Sequence, residues 1–567
     1  MSDLEISKKT VHDVFVEKMN FLIPDYQRPY SWERDQRETL WEDLKSFAFP
    51  AGGEEFDDDN DEYFLGTIVT FTHGKNTKEV IDGQQRLITL MLLLRAFYEA
   101  FRDKNNPVAQ EIAKCIWHTK NYLPDKTHSK IKSEVATDEY IPEFEQIIAD
   151  GKIPRASKSL YAQNYRYFQR KIKEFKDSAA EDFQDFPKRI MDNCIILPIV
   201  AGTQDIALRI FTTLNDRGMQ LSDSDIFKAQ FYKFYRSKSE AAKENFVQRW
   251  KKLEELCNKN FGSLSGSKVN DLFMRYMYYL LAESETKSDT FLGLRPYYEK
   301  NNYSVLKSEE TFENLETLAK FWDDVARRDE QKFSNRVLKR LYVLDNSPYS
   351  LWGNVVSLYF MCNRDSQNLL DDEKFYRFLH KITAMFLLQA IVQPGVQAIR
   401  RPFFLEFQNI RHGRPLKFED FKRDKRTIRT SFSNIKFSNQ KSITRAMMMW
   451  WMFQFDEQEL PPSGTPMEIE HIYAKKRAED EPLEDAESLE LLGNKALLEK
   501  SVNVRAAGKH FVDKKFYYLD RQHGTKNFEL RRLAETHADF TEYDILERNE
   551  EIIESFLRYL DENNLLR

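Results

Sequence analysis

The sequence predicts an α+β chain, mostly helical, with an α/β region over residues 1–240, a helical connecting region over 241–460 and a small ββα unit over 461–567. Three observations lead there. Short β-branched and aromatic runs alternate with amphipathic stretches before about residue 240. From Ala241 to Phe455 the pattern is helical almost throughout, without a repeat. The breaker cluster PPSGTP, from Pro461 to Pro466, then opens a segment of a different style. At 567 residues the chain is too long for one ordinary core, so several domains are expected.

Composition narrows the function classes. Hydrophobic residues make up 41% and aromatic residues 14%, enough for packed cores rather than disorder. The net charge of -6 excludes a globally basic nucleic-acid binder, so any DNA surface has to be a local patch. Cys115, Cys194, Cys257 and Cys362 are far apart and form no CxxC pair, which argues against a cysteine-built zinc site and a disulfide framework. The N-terminal MSDLEISKKT has no apolar signal core, and the apolar run from Leu87 to Leu94 is far short of the ~20 residues of a membrane span. The expectation is a cytoplasmic protein with no membrane partner.

The N-terminal elements follow in order. Pro24 and Pro29 disfavour helix, so FLIPDYQRPYSW starts extended. ERDQRETLWEDLKSFA reads as an amphipathic helix with Leu40, Trp41, Leu44 and Phe47 on one side. YFLGTIVTFTH and KEVI read as strands, and QQRLITLMLLLRAFYEAF as a long apolar helix. Between them EEFDDDNDE carries seven acids in nine residues and reads as a solvated loop without function. From Pro107 to Ser178 the pattern is mostly helical with a polar middle, and NCIILPIVAG then reads as a buried strand. ALRIFTTLNDRGMQLSDSDIFKAQFYKFY reads as helix, turn and helix, with Gly218 as the break and Ser222 or Asp223 as the cap.

After the breaker cluster, MEIEHIYAKK reads as a strand ending at His471, Gly493 as a turn, KALLEK as a second strand, and Ser501 onward as a helix. That layout can place a histidine, an asparagine and a helix-borne ligand around one divalent ion. Hydrolysis of a phosphodiester near neutral pH needs a base for water, and histidine has a suitable pKa. An asparagine amide can fix the imidazole through backbone contacts, and a hard cation prefers oxygen ligands such as those of Glu470 and Asn503. A lone His471 would more often be an ordinary strand-end histidine; the ordered set of residues is what favours chemistry. His510 is a weaker candidate for the helix ligand, and His523 and His537 read as surface residues.

In the N-terminal region, VIDGQQRLITL sets Asp82, Gly83, Gln84, Gln85 and Arg86 between a strand and a helix. N–H groups at a helix N-terminus attract phosphate, Gly83 permits close approach, and Arg86 adds a bidentate donor. An ordinary strand-to-helix turn with a capping network is the alternative. No GxxxxGK[ST] loop is present, which excludes a P-loop NTPase. A further basic stretch, Arg400 to Arg445, holds 13 Lys/Arg against four acids, with seven phenylalanines interleaved. It reads either as a phosphate-contacting face or as an amphipathic stretch whose phenylalanines are core.

Two resemblances sharpen these readings. Glu470-His471, Asn494 with Leu497-Leu498, Asn503, and Lys509 or Lys514 resemble the ordered motif of the His-Asn-His/Asn (HNH) nuclease superfamily, including the nine-residue step from Asn494 to Asn503. Ala474 replaces a proline common there, and the flanking zinc CxxC pair is missing. IPDYQRPYSW, YFLGTIV, VIDGQQRL and FTTLNDRGMQLSDSDIFK resemble the ParB-like N-terminal module of the GmrSD family of modification-dependent, type IV restriction enzymes. That resemblance implies a nucleoside-triphosphate site at Asp82, Gly83, Gln84, Gln85 and Arg86, with Gln27, Arg28, Asn215, Arg217 and Lys228 lining the same cleft. Tyr30 and Trp32 also match motif positions, either as core aromatics or as contacts to a base. The C-terminal motif implies a ββα-metal fold, with His471 and Asn494 as catalytic residues and Glu470 and Asn503 as ligands of Mg²⁺ or Mn²⁺. The expected function is a nucleotide-regulated, metal-dependent endonuclease restricting foreign, modified DNA such as phage DNA, with NTPase activity. The rival is a nucleotide-switched DNA sensor or clamp with a degenerate nuclease; an RNA-directed nuclease is a third reading. Homo-oligomerisation is left open.

Overall fold

The computed structural model describes residues 4–567 except 51–55, 73, 75, 102–104, 121–122, 136–137, 204–205, 208–209, 211–221, 263–266 and 284–292. The chain forms two compact units, Met1–Lys252 and Leu253–Arg567. The fold class is α+β and mostly helical, as the sequence predicts. Among the described residues no helix is long and apolar enough to cross a membrane.

The first unit is built on a seven-stranded sheet in the order β1-β9-β4-β5-β3-β8, with β2 also paired to β9. Its strands are β1 (Leu4–Ile6), β2 (Lys9–Thr10), β3 (Asn20–Ile23), β4 (Tyr63–Thr72), β5 (Thr77–Asp82), β8 (Ile131–Ser133) and β9 (Cys194–Ala201). β4 and β5 are antiparallel, whereas β3 runs parallel to β5 and β8, and β4 parallel to β9. Helix Gln84–Ala100, directly after β5, is buried on almost every side from Leu87 to Tyr98. A helix apolar all round is a core element, and this one anchors the unit. Helix Arg34–Ala48 buries Leu40, Trp41 and Leu44, the stripe expected from its spacing.

The stretch from Pro107 to Ser178 carries the helices Pro107–Ile116, Ile141–Asp150 and Leu160–Ser178, mostly helical as expected. The polar middle between Pro107 and Ser178 is not helical: it forms a two-stranded ribbon, β6 (Trp117–Lys120) with β7 (Leu123–Ser129), followed by β8. β7, LPDKTHS, is mostly exposed and lacks a buried face, so it shows no apolar alternation. Lys120 is described by its backbone alone. Of the helix–turn–helix reading, Gly218 and most of the first helix lie outside the described residues. The second helix spans Asp223–Lys238, capped by the Ser222 side chain.

Gly83 starts the Gln84–Ala100 helix in the left-handed region, at φ 93°, and a Cβ there would lie 2.9 Å from the Ile68 side chain. Gly83→Ala is expected to cost about 1–2 kcal/mol for the left-handed backbone alone. Urea unfolding of the full chain should show a lower midpoint; an unchanged midpoint would mean the turn relaxes freely.

Among the described residues the second unit is mostly helical from Leu253 to Met452, and it ends in a hairpin with helices on it. β10 (Met467–His471) pairs antiparallel with β11 (Lys495–Glu499), in register Met467↔Glu499 to His471↔Lys495. The single helix expected from Ser501 onward is two, Lys500–Ala506 and Phe511–Leu519, broken where Gly508 takes φ 71°. Val502, Ala506, Phe511 and Tyr518 on these helices form a core with Ala496 and Leu498 of β11.

Candidate functional site

Side chains on a strand alternate between faces, so pairing His471 with Lys495 puts both on one side of the hairpin. Glu468 and Glu470 point to the other side, where Ala496 and Leu498 meet the two helices.

Asn494 is completely buried and knits the chain just after His471. Its Oδ1 accepts from the Tyr473 N–H at 2.7 Å, and its Nδ2 donates to the carbonyls of Tyr473 (3.1 Å) and Leu489 (3.0 Å). Its own carbonyl accepts from the Ile472 N–H at 3.0 Å. These are backbone contacts of the kind that fix an imidazole from behind. Arg548 secures the same turn by donating to the carbonyls of Leu492 (3.1 Å), Gly493 (2.8 Å) and Lys495 (2.8 Å).

His471 sits in a polar cluster that the sequence reading missed. Lys495 Nζ lies against His471 Nε2 and also donates to Glu490 Oε2 at 2.8 Å and Asn439 Oδ1 at 3.1 Å. Glu490 Oε1 is 3.4 Å from His471 Nε2 and pairs with Lys475 at 2.6 Å. Asn439 donates to the Ile469 carbonyl at 2.9 Å, beside the ring. Burial, reinforced by the Lys495 charge, pushes the His471 pKa down to about 3, so the ring is neutral near pH 7. Burial also lowers Lys495 to about 8. Burial works against ionisation of Glu490, but hydrogen bonds from Lys475 and Lys495 prevail and hold it down at about 2. The missed signal was partly present: a lysine at a strand position paired with His471 faces the same way.

The two expected metal ligands have different partners. Glu470 is buried and accepts from Lys514 Nζ and, at 3.0 Å, from the Tyr518 hydroxyl. Lys514 also donates to the His471 carbonyl at 2.6 Å, and burial lowers its pKa. Asn503, on the Lys500–Ala506 helix, instead donates to Glu468 Oε2 at 2.8 Å. Its Oδ1 is buried and has no hydrogen-bond partner. Among the described residues, no group of three or more His, Cys, Asp or Glu side chains converges as a metal set. The oxygens of Glu468 and Asn503 are nevertheless the donor type a hard cation prefers, and the unsatisfied Asn503 Oδ1 fits that use. Glu470 fits only if Lys514 withdraws. Lys509 stands over the Tyr517 ring at 5.6 Å. His510 precedes the Phe511–Leu519 helix as its N-cap residue, and His537 lies 3.9 Å from Asp544.

In the first unit, the Asp82–Arg86 turn grips the loop after β3. Gln85 accepts from the Ser31 N–H (2.8 Å) and donates to the Pro29 carbonyl (3.1 Å), while Gln84 donates to the Arg28 carbonyl (3.3 Å). Gln27 donates to the Ile81 carbonyl at 3.0 Å. The glutamines thus tie two motifs together as a capping network would. Gln84 Oε1 is left buried without a partner. Arg86 donates to the Thr67 carbonyl at 2.7 Å, and its guanidinium lies where a side chain on Gly66 would go. Burial raises the Asp82 pKa against the opposing charges of Arg86 and Arg28. Lys228 is buried with its ammonium 5.8 Å from the Trp250 ring centre. Asn215 and Arg217 lie outside the described residues. Tyr30 is core: its hydroxyl bonds Thr89 and Asn164, each at 2.7 Å, and its ring stacks on Tyr161 at 4.9 Å. Trp32 is half-buried, packed against the same core.

In the basic stretch Arg400 to Arg445, Phe403, Phe404, Phe407, Phe418, Phe432 and Phe437 are all buried. Arg429 is paired with Glu550 and Glu554 of the last helix. These six rings belong to the core, whereas Phe421 is only half-buried.

Comparison with known families gives two matches. Residues 11–232 match the family described as GmrSD restriction endonuclease, N-terminal domain. Residues 422–555 match the family described as GmrSD restriction endonucleases, C-terminal domain. Among curated proteins none matches the chain.

Proposed function

This chain belongs to the GmrSD family of restriction endonucleases, and from that premise we propose that it cuts foreign, modified DNA at His471 under the control of a nucleotide held by its N-terminal unit. The observation that carries this reading is the position of His471 at the end of β10, with the buried Asn494 fixing the backbone behind it. A neutral imidazole can take a proton from water, and Nε2 becomes available when Lys495 swings toward Glu490. Lys495 and Lys475 then remain as cations beside the scissile phosphate. A hard divalent cation, when bound, would offset charge on the phosphate and the leaving oxygen. Asn503 and Glu468 would hold it, joined by Glu470 if released from Lys514.

In the first unit, Arg28, Arg86 and the opening N–H groups of the Gln84–Ala100 helix would receive phosphates. Gln84 Oε1 would accept from a hydroxyl or amine of the same nucleotide. Gln27, Gln85, Asp82, Lys228, Asn215 and Arg217 complete the proposed set, the last two on the strength of their motif positions. Nucleotide would then alter cleavage by shifting the population of cutting-competent molecules.

The test is cleavage of modified and unmodified supercoiled plasmid with Mg²⁺, Mn²⁺ or EDTA, with and without each nucleoside triphosphate. Cutting is expected with Mg²⁺ or Mn²⁺, faster on modified DNA, altered by nucleotide, and absent in EDTA. DNA binding without cutting under every condition would favour the sensor reading, for which the lysines on His471 and Glu470 are the supporting observation. Cutting of RNA but not DNA would overturn the substrate class.

A further inference from the structure

Helix Phe511–Leu519 shows two opposite stripes. Lys514 and Tyr518, one turn apart, are buried and bond Glu470. Val512 and Phe516, also one turn apart, are 59% and 73% exposed, and Phe516 is one of the most exposed large apolar side chains in the protein. A two-residue offset is about 200° around a helix, so this stripe lies across the helix from the site's acid. The Phe516 ring meets Tyr517 edge-on, with centroids 5.6 Å apart. The Arg505 guanidinium and the Lys509 ammonium stand 6.0 and 5.6 Å from the Tyr517 ring centre. Between Lys500 and Lys526 there are seven Lys/Arg and two Asp, in a chain whose net charge is -6.

An exposed phenylalanine forgoes hydrophobic stabilisation and leaves its ring face open to a ligand. A protein-facing patch would have an apolar core with charge kept to the rim. Here the aromatic pair is interleaved with cations, the pattern that grips a nucleic-acid strand: rings for bases, cations for phosphates. We infer that Phe516 is a stacking platform for an unpaired DNA base, with Arg505 and Lys509 holding the adjoining phosphates. This rests on the DNA-cutting reading and adds to it: the enzyme engages a locally opened strand, one helix thickness from Glu470. The device does not depend on base identity, because every base offers a flat face.

The experiment uses the full chain with His471→Ala, which binds without cutting, and fluorescein-labelled single-stranded and duplex oligonucleotides. Anisotropy titration should show Phe516→Ala weakening single-strand binding about 5- to 150-fold, with Phe516→Trp restoring it. Arg505→Ala with Lys509→Ala should flatten the single-strand salt slope by roughly 1.4, for two lost phosphate contacts. A 2-aminopurine in the strand should be quenched by the Phe516 protein and not by Phe516→Ala. Equal affinity and equal quenching for both proteins would overturn the platform while leaving cutting by the unaltered enzyme intact. A change in oligomeric state on Phe516→Ala, with DNA binding unchanged, would overturn it in favour of contact between copies. An unaltered enzyme that neither binds nor cuts any DNA would overturn the underlying reading as well.

Discussion

His471→Ala should lower the rate of DNA cutting by about 100- to 10,000-fold, the range a positioned general base contributes, without weakening DNA binding. The side chain packs in a polar cluster rather than an apolar core, so its loss leaves Lys495 still paired with Glu490 and Asn439. The fold should therefore persist, as circular dichroism can check. Asn494→Asp makes a sharper companion. The aspartate keeps an oxygen for the Tyr473 N–H but turns a second oxygen toward the carbonyls of Tyr473 and Leu489, where an amide donated. Cutting should fall with it, through misplacement of the His471 backbone. Plasmid nicking by His471→Ala at the unaltered rate would remove this histidine from the chemistry.

The largest effect on stability is expected at Arg548. Its guanidinium makes a two-point pair with Glu529, at 2.7 and 2.8 Å, with both groups buried. Glu529 also accepts from the Trp451 indole at 2.8 Å. Arg548→Met strands the carboxylate and frees three carbonyls, and breaking a buried pair from one side costs about 3–5 kcal/mol. Urea unfolding should register that loss in the second unit. Adding Glu529→Leu should recover part of it, because the unpaired charge goes with it. A single variant within about 0.5 kcal/mol of the unaltered protein would show that the pair is replaceable by solvent.

What the sequence disclosed follows the range over which each signal acts. The Arg34–Ala48 and Gln84–Ala100 helices, β4, β5 and β9 were legible because their apolar patterns are set by neighbours in the chain. β6 and β7 were not, since a polar ribbon has no face to mark it. The order of His471, Asn494 and Asn503 was legible because those residues fall within one supersecondary unit. The acid beside Asn503 was not: Glu468 and Glu470 share a strand face, so alternation cannot rank them. Packing decides, by setting Lys514 and Tyr518 on one and Asn503 on the other. Asn439 was beyond reach, since it arrives from before the helix that precedes the breaker cluster.

Gly493 has a further consequence. A Cβ there would lie 2.0 Å from the Ile545 carbonyl and 2.8 Å from Asn549, so the turn that carries Asn494 rests directly on the Glu542–Glu562 helix. Chains fold as they leave the ribosome, earlier segments first. His471 and Asn494 emerge well before the floor beneath them, and the turn has nothing to rest on until Ile545, Arg548 and Asn549 have also emerged. The backbone behind His471 is therefore fixed only once the Glu542–Glu562 helix has been made.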